Sequence, residues 1–389
     1  MKWLLIGLLI IGIGYKAQGI AITDFEPPVS RAKTSFIMGS YDYERSSEGK
    51  ITSDHGNLSL NFIQFYSSLP FAYNSSLLGL VERNGSAEVD SERMVYNISG
   101  KGQVNKYLYK DIFGMVKLSV DSIRGYFQPK FSSREKFSAS MGLGYGRFIV
   151  ATPMARAVRV AEELGRVDLL TGPLPDSTYL LLAEQLDPYM IRSYQEHYDF
   201  WEREYYRDIS RILRESGQLK EGVLGSVGTV VVSDILDEYI LPRYYGYEIT
   251  GGFGYTLSIP SENSSLKPFT ELTFEFGRPI GLKSQLAGFL TLKNYIIEGK
   301  FESRLSLDQL RFTYSYEISN NLDLFLAYNL SGSIPFEETP SLSQEMDIEF
   351  HYYIVNQLNF TTRFSLNTPP GEYTNFKTSF SSGIKYRFF

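Results

Sequence analysis

Alternation of apolar and polar residues is the dominant pattern in the C-terminal half of the chain. Successive side chains of a β-strand point to opposite faces, so this alternation predicts strands with one apolar and one polar face. In 346–354 the even positions are apolar or aromatic, while the odd ones include Asp347, Glu349 and His351. The same pattern recurs in 310–318, 322–330 and 358–366. Charges on one face of several consecutive strands would be costly in a dry core and favour a water-filled interior.

The whole pattern predicts six strands before residue 150 and eight after residue 242. The first six are predicted near 33–46, 56–67, 71–83, 92–107, 111–127 and 135–149. The other eight are predicted near 244–258, 268–278, 284–296, 306–318, 321–332, 343–355, 357–367 and 375–388. The predicted fold is therefore an antiparallel transmembrane β-barrel of about fourteen strands, and counts of twelve or sixteen fit the sequence as well.

The segment 151–241 breaks the strand pattern and predicts an α-helical insert. Thr152 followed by Pro153 is typical of a helix start, with an apolar stripe that continues to Leu164. Asp176 or Ser177 caps a short helix in this interpretation. A longer helix is predicted for 188–215, and 222–235 is left open between a buried helix and a short hairpin.

Connections between the predicted strands alternate in length. The turns at 319–321 and 355–357 are tight, whereas 334–343 and 367–374 are longer and rich in Pro, Ser and Glu. Barrels of the outer membrane have short periplasmic turns and longer outer loops. Six strands before the insert then place the insert on the periplasmic side, either as a plug in the barrel or as a cap beneath it.

The N-terminus is typical of a secretion signal. Lys2 precedes an apolar run from Leu4 to Ile13, and Ala17-Gln18-Gly19 is a plausible cleavage site. The domain organisation predicted from the sequence is a signal peptide at 1–19, N-terminal barrel strands at 20–150, the insert at 151–241 and C-terminal barrel strands at 242–389. The chain has no cysteine, which rules out disulfides and a lipid-modified cysteine.

The last residues read FKTSFSSGIKYRFF, with an apolar face that ends on Tyr386 and Phe388. Together with the signal, the alternating strands and the unequal turns, this ending resembles Gram-negative outer-membrane β-barrel proteins of the porin-like class. The resemblance implies that Tyr386, Phe388 and Phe389 form an assembly signal read by the barrel-assembly machinery. Phe389 departs from the class pattern, because Phe388 and not Phe389 continues the apolar parity.

Charged residues on the polar face of the predicted strands are the candidate site. They are expected to line the lumen: Arg311, Glu317, Asp347, Glu349, His351, Arg363, Lys377, Lys385 and Arg387. A network of Asp347, Glu349, Arg311 and Arg363 is the favoured interpretation. A barrel hydrolase that uses His351 with Asp347 or Glu349 is a minor alternative. The spacing of His and acidic residues suggests no metal site, and nothing in the sequence suggests a cofactor.

These observations predict a cell outer-membrane protein, with 29 Tyr and 27 Phe available for aromatic girdles and lipid contact. The expected function is a porin-like channel for passive passage of small solutes, which the helical insert would gate if it lies inside the barrel. The alternative is a non-enzymatic outer-membrane anchor or scaffold whose residues 151–241 dock a periplasmic protein partner. The net charge of −6 argues against a nucleic-acid partner.

Overall fold

The structure is a computed structural model. It describes residues 20–27, 29–45, 51–86, 93–127, 130–260, 265–297, 300–302, 304–335, 339–368 and 377–388. The predicted signal peptide at 1–19 and the terminal Phe389 lie outside the described residues.

The chain forms a closed antiparallel β-barrel of fourteen strands, which confirms the predicted fold class and strand number. An additional two-residue strand, β10, pairs with the end of β9. The strands are β1 (Val29–Arg45), β2 (Ile51–Ser68), β3 (Phe71–Ser86), β4 (Arg93–Tyr109), β5 (Ile112–Phe127), β6 (Lys130–Val150), β7 (Tyr244–Pro260), β8 (Ser265–Ile280), β9 (Ser284–Ile297), β10 (Lys300–Phe301), β11 (Arg304–Ser319), β12 (Leu322–Pro335), β13 (Ser341–Val355), β14 (Leu358–Thr368) and β15 (Lys377–Arg387).

The ring closes between the last strand and the first. Phe36 of β1 lies opposite Arg387 of β15, and Gly39 lies opposite Ile384. The other barrel strands pair with their neighbours in sequence, so the described strands leave no free edge that could pair with another chain. Strands β6 and β7 flank the helical insert in the sequence and pair without a register shift, so the insert does not interrupt the sheet.

The outer face of the barrel is apolar and exposed, and the inner face is polar. On neighbouring strands Leu118, Met141 and Leu143 point outward, with 59%, 69% and 62% of their surfaces exposed. Positions of opposite parity on these strands, such as Ser140, point inward and are buried. This is the alternation that the sequence predicts, with the apolar side facing the surroundings rather than a core.

The two ends of the barrel differ in their connections. At the turn end, the strands are joined by two or three residues, at 69–70, 110–111, 281–283, 320–321 and 356–357. The helical insert also leaves and re-enters the barrel at this end, between Val150 and Tyr244. The opposite end, called the loop end here, has one two-residue connection at 128–129, and its other connections are longer: 46–50, 87–92, 261–264, 298–303, 336–340 and 369–376.

The helices belong to a second compact unit, the helical unit, which comprises Ala151–Arg243 with Pro279–Ser284 and the described part of Met1–Pro27. The helices are α1 (Thr152–Arg166), α2 (Asp176–Gln185), α3 (Pro188–His197), α4 (Trp201–Glu215) and α5 (Gly225–Asp237). Helix α1 packs against α2 and α5, and α4 packs against α2 and α3. The core includes Met154, Leu164, Leu182 and Ile209, all fully buried. No helix of the described segments is long and apolar enough to cross a membrane.

The prediction of one helix over 188–215 is wrong, because α3 ends at His197 and α4 begins at Trp201. Tyr198 between them has an extended backbone, with φ −130° and ψ 128°. The break lets the two helices fold against each other, so that the rings of Tyr194 and Tyr205 meet edge to face at 5.4 Å and the Tyr194 hydroxyl donates to Asp208. The aromatic spacing of three and four residues runs through the break, which hides it in the sequence.

Two smaller expectations for the insert are also resolved. Ala151, not Thr152, is the N-cap of α1, and the Thr152 hydroxyl instead accepts from the Arg243 backbone N–H at 3.0 Å. This bond holds the two ends of the insert together. The ambiguous stretch 222–235 contains α5, in which Gly228 allows close packing, since a Cβ there would lie 2.5 Å from the Leu224 side chain.

Candidate functional site

One group of inward charges, the arginine cluster, lies on β13 and β14. Arg363 lies directly opposite Glu349, and its guanidinium holds Asp347 with two nitrogens, at 3.0 and 2.8 Å. The same guanidinium reaches Glu345 at 3.3 Å and Glu349 at 3.4 Å. The Ser365 hydroxyl donates to Asp347 at 2.6 Å. Because Asp347 is buried, the two-nitrogen contact is the strong element of this cluster.

His351 extends the arginine cluster toward the turn end. Its Nε2 lies 3.2 Å from Glu349, and its ring packs on Phe325 with centroids 4.4 Å apart. A hydrolase would also need a nucleophile or a bound water next to this pair. Thr361 is directly opposite His351, but its hydroxyl donates to the Gly383 carbonyl. Among the described residues, no hydroxyl is hydrogen bonded to the imidazole.

The other residues of the predicted site lie apart from this cluster. Arg311 faces inward opposite Asn329, and strand β12 separates it from Glu345, so it is not part of the arginine cluster as the sequence suggested. Glu317 lies directly opposite Asp323, and both are buried near the turn end.

The three predicted basic residues of β15 have three different surroundings. The Lys385 ammonium lies 3.7 Å from the centre of the Phe36 ring, within the range of a cation–π contact. Arg387 is at the turn end, where it donates to the Asn356 carbonyl at 3.1 Å. Lys377 is exposed at the loop end of the strand.

Sequence reasoning missed a second group, the lysine cluster, on β5 to β8. The Lys117 ammonium lies 3.1 Å from Glu271 and 3.1 Å from each of the Thr250 and Thr273 hydroxyls. The Ser140 hydroxyl donates to Glu271 at 2.9 Å. The signal was present in β8, where Glu271 and Thr273 alternate with apolar residues. The partner Lys117 could not be identified, because it lies in a distant strand.

Inward glycines make room for two large side chains on the inner face of the wall. A Cβ at Gly144 would lie 2.3 Å from the Phe113 ring, and one at Gly252 would lie 2.8 Å from the Met115 methyl. Phe113 and Met115 are consequently buried and form a small apolar core inside the wall with Ala72 and Tyr107. This core lies on the inner face of β3 to β5 near the turn end.

Beyond this core, toward the loop end, the wall encloses a cavity of about 460 Å³. Its lining is mainly polar and includes Lys117 and Glu271, hydroxyls such as Thr291, and a second ion pair between Lys293 and Asp308 at 2.6 Å. A larger cavity of about 950 Å³ lies next to it and shares Lys136 and Asp308 with it. Among the described residues, no group of His, Asp and Glu side chains is arranged to hold a metal ion.

No protein-family model matches the chain. No curated protein matches it either.

Three solved structures are among those that resemble it. CdiB from Acinetobacter baumannii is 7% identical with a TM-score of 0.38, over 93% of this chain and 60% of that chain. The outer membrane protein OpdK from Pseudomonas aeruginosa is 7% identical with a TM-score of 0.30, over 92% of this chain and 98% of that chain. A TodX deletion mutant, described as a monoaromatic hydrocarbon channel, is 6% identical with a TM-score of 0.35, over 96% of this chain and 94% of that chain.

At these identities the likeness concerns the fold alone. The chain spans 60% of the length of CdiB and nearly the full length of the other two. The sequence-based resemblance to the Gram-negative outer-membrane β-barrels, as a broad class, is confirmed at the level of the fold.

Proposed function

We propose that the barrel spans the outer membrane and provides a passive path for small polar solutes. The observation that carries this proposal is the pair of polar cavities inside a closed wall, at about 460 and 950 Å³. Buried side chains such as Glu271 and Thr250 line the smaller one, and an interior of this kind is hydrated rather than packed. Charged and hydroxyl groups at the wall replace part of a solute's hydration shell as it passes.

The outer face supports placement in a lipid bilayer. Contiguous apolar side chains as exposed as Met141 and Leu143 would cause association in water, whereas lipid tails solvate them. In this placement the turn end with its helical insert faces the periplasm, and outer-membrane lipid covers the wall. Tyr386 and Phe388 on the outer face of the last strand then serve the assembly machinery. The nine predicted lumen residues would line or flank the path.

Planar-bilayer recording tests the path with two forms of the protein. One is the full chain, and the other replaces 151–243 with Asn-Gly. This replacement is feasible because Val150 and Tyr244 are direct cross-strand partners, and a two-residue hairpin joins such a pair. A matched control exchanges the turn at 110–111 for Asn-Gly and leaves the helical unit intact.

We expect discrete current steps from the form without the helical unit. A smaller or rarer current from the full chain would mean that the helical unit gates the path, and equal currents would mean that it does not. Absence of steps from both forms, with folding verified by circular dichroism, would overturn the channel proposal.

A second candidate function is docking of a periplasmic protein by the helical unit. Val223, Val227 and Val230 lie before and along α5, and each exposes more than half of its surface, 56%, 57% and 57%. Neighbouring exposed apolar residues are typical of interaction surfaces. Site-specific photo-crosslinking from position 227 in cells would reveal a partner. The double variant V227D/V230D should abolish a genuine crosslink, and a crosslink that survives it would contradict this candidate.

A further inference from the structure

Four of the charged residues that line the smaller cavity are held in two ion pairs. Lys117 holds Glu271, and Lys293 holds Asp308. Five further charged lining residues have no ion pair within 4 Å among the described residues: Lys101, Asp121, Lys136, Glu248 and Glu275. Asp121 accepts a hydrogen bond from Ser99, which leaves the two lysines and the two glutamates as the candidate contacts of a charged solute. Lys101 is exposed, Lys136 and Glu275 are half-buried, and Glu248 is buried.

The two carboxylates lie together at the turn end of the cavity. Glu248 of β7 and Glu275 of β8 are direct cross-strand partners on the inner face. Like charges in this position oppose each other, and Glu248, which is 9% exposed, receives only a long hydrogen bond of 3.5 Å from Asn105. Lys117 is the nearby cation, but its ammonium is directed at Glu271 and two hydroxyls. An additional cationic group would relieve this repulsion.

The two lysines lie at the loop end of the same cavity. Lys136 faces Asp121 across the strand pair, but that carboxylate accepts a hydrogen bond from Ser99 at 2.6 Å. Lys101 lies one row closer to the turn end, in line with Ser138 of β6. Arg134 and Lys267 line the adjoining larger cavity and outnumber the acids there, which are Glu302 and the Asp308 that Lys293 holds. The interior is therefore basic toward the loop end and acidic toward the turn end.

The spacing of these ends sets the size of a solute that could reach both. The cross-strand partners that begin at Lys101 lead across β5 and β6 to Thr256 of β7. Thr256 is eight residues from Glu248 along β7, which corresponds to about 26 Å at 3.3 Å per residue. Contacts made through the long lysine and glutamate side chains would shorten this distance. An extended peptide of about four to six residues spans the remainder, at 3.3–3.6 Å per residue.

The wall between the charged ends can bind a peptide backbone. The hydroxyls of Ser138, Thr273 and Thr291 and the amide of Gln103 line the cavity and provide donors and acceptors along its length. A cavity of about 460 Å³ is in the size range of small-molecule sites.

We infer that the cavity binds short peptides with free ends, with the ammonium at Glu248 and Glu275 and the carboxylate near Lys101 and Lys136. This inference rests on the proposed channel function and names its solute class. A solute that has only one of the two charges would satisfy only one end of the cavity.

The test measures block of the ionic current of the full chain, or of the Asn-Gly form if only that form conducts. The probes are penta-alanine, N-acetyl-penta-alanine and penta-alanine amide. We expect penta-alanine to block at concentrations at least about tenfold lower than either capped peptide, since loss of one charge contact of this size changes affinity about tenfold. Because this comparison uses the unmodified sequence of the barrel, it does not depend on the folding of a variant.

Variants then assign the ends. E248Q/E275Q should weaken block by penta-alanine at least about tenfold and leave block by the N-acetyl peptide unchanged. K101Q/K136Q should also weaken block by penta-alanine at least about tenfold and should leave block by penta-alanine amide unchanged. The control E82Q/K106Q changes charges that line neither cavity and should have no effect.

The outcomes separate the two proposals. No ionic current at all would overturn the channel function itself. Current that all three peptides block equally, or that none of them blocks, would overturn the peptide inference and leave the channel function standing. Equal sensitivity of the two double variants to both capped peptides would also overturn it, because the ends would then have no distinct roles.

Discussion

The Lys117–Glu271 pair allows a quantitative test of how far buried charges hold the barrel together. Lys117 contacts Glu271 and two threonine hydroxyls, each at 3.1 Å. The exposed fractions of the two charged side chains are 19% and 6%. Removal of one partner of a fully buried pair costs about 3–5 kcal/mol, because the other charge is left uncompensated. Lys117 touches the hydrated cavity, so we expect Lys117→Met to lower the free energy of unfolding by about 2–4 kcal/mol.

The reciprocal variant should be milder. In Glu271→Gln the Ser140 hydroxyl keeps an acceptor, and Lys117 keeps both threonine hydroxyls and the neighbouring carboxylates at Glu248 and Glu275. We expect a loss of about 1–2 kcal/mol, the value of a hydrogen bond to a charged group. Lys101→Met is the matched control, and at an exposed site we expect a change within about 0.5 kcal/mol.

Urea unfolding in detergent micelles, followed by far-ultraviolet circular dichroism, measures these differences on the barrel signal. The order of destabilisation should be Lys117→Met, then Glu271→Gln, then Lys101→Met. If Lys117→Met were no worse than Lys101→Met, the buried pair would contribute nothing to stability. A larger loss in Glu271→Gln than in Lys117→Met would refute the idea that uncompensated carboxylates carry the cost.

Two further predictions concern the inner wall and the helical unit. Gly144→Leu should prevent barrel formation, since even its Cβ would lie 2.3 Å from the Phe113 ring. The control Gly79→Ala should fold, because the space around its Cβ is open. Protease resistance of the refolded protein distinguishes the two variants, and a resistant Gly144→Leu barrel would contradict the steric argument. Burial raises the pKa of Tyr205 above its usual value of 10.0, so the stability it contributes is complete below about pH 10 and is lost as the pH rises further. Fluorescence of Trp201, whose ring lies 6.2 Å from that of Tyr205, should report alkaline unfolding that Tyr205→Phe shifts to higher pH, and an unchanged midpoint would exclude Tyr205 as the cause.

Much of the barrel could be predicted from local sequence because the period of a strand is local. On β13, the inward residues Asp347, Glu349 and His351 could be assigned to one face without knowledge of any neighbour. The arginine cluster could also be predicted from the sequence, since Arg363 lies on the next strand, β14, and a tight turn limits the register between β13 and β14. Arg311 marks the limit of this reasoning, because strand β12 separates it from the carboxylates to which sequence reasoning assigned it.

The sequence by itself predicted the strands, their faces, the tight turns and the segment of the chain that forms helices, because each depends on residues close together in the chain. Only the tertiary structure decided that Lys117 meets Thr273, 156 positions away, and that inward glycines make room for Phe113 and Met115. The break between α3 and α4 belongs to the same category, since packing of Tyr194 against Tyr205 requires it while the aromatic spacing runs on without interruption. Cavities and charge partners arise from the register of many strands around a closed ring, and no local pattern contains that information.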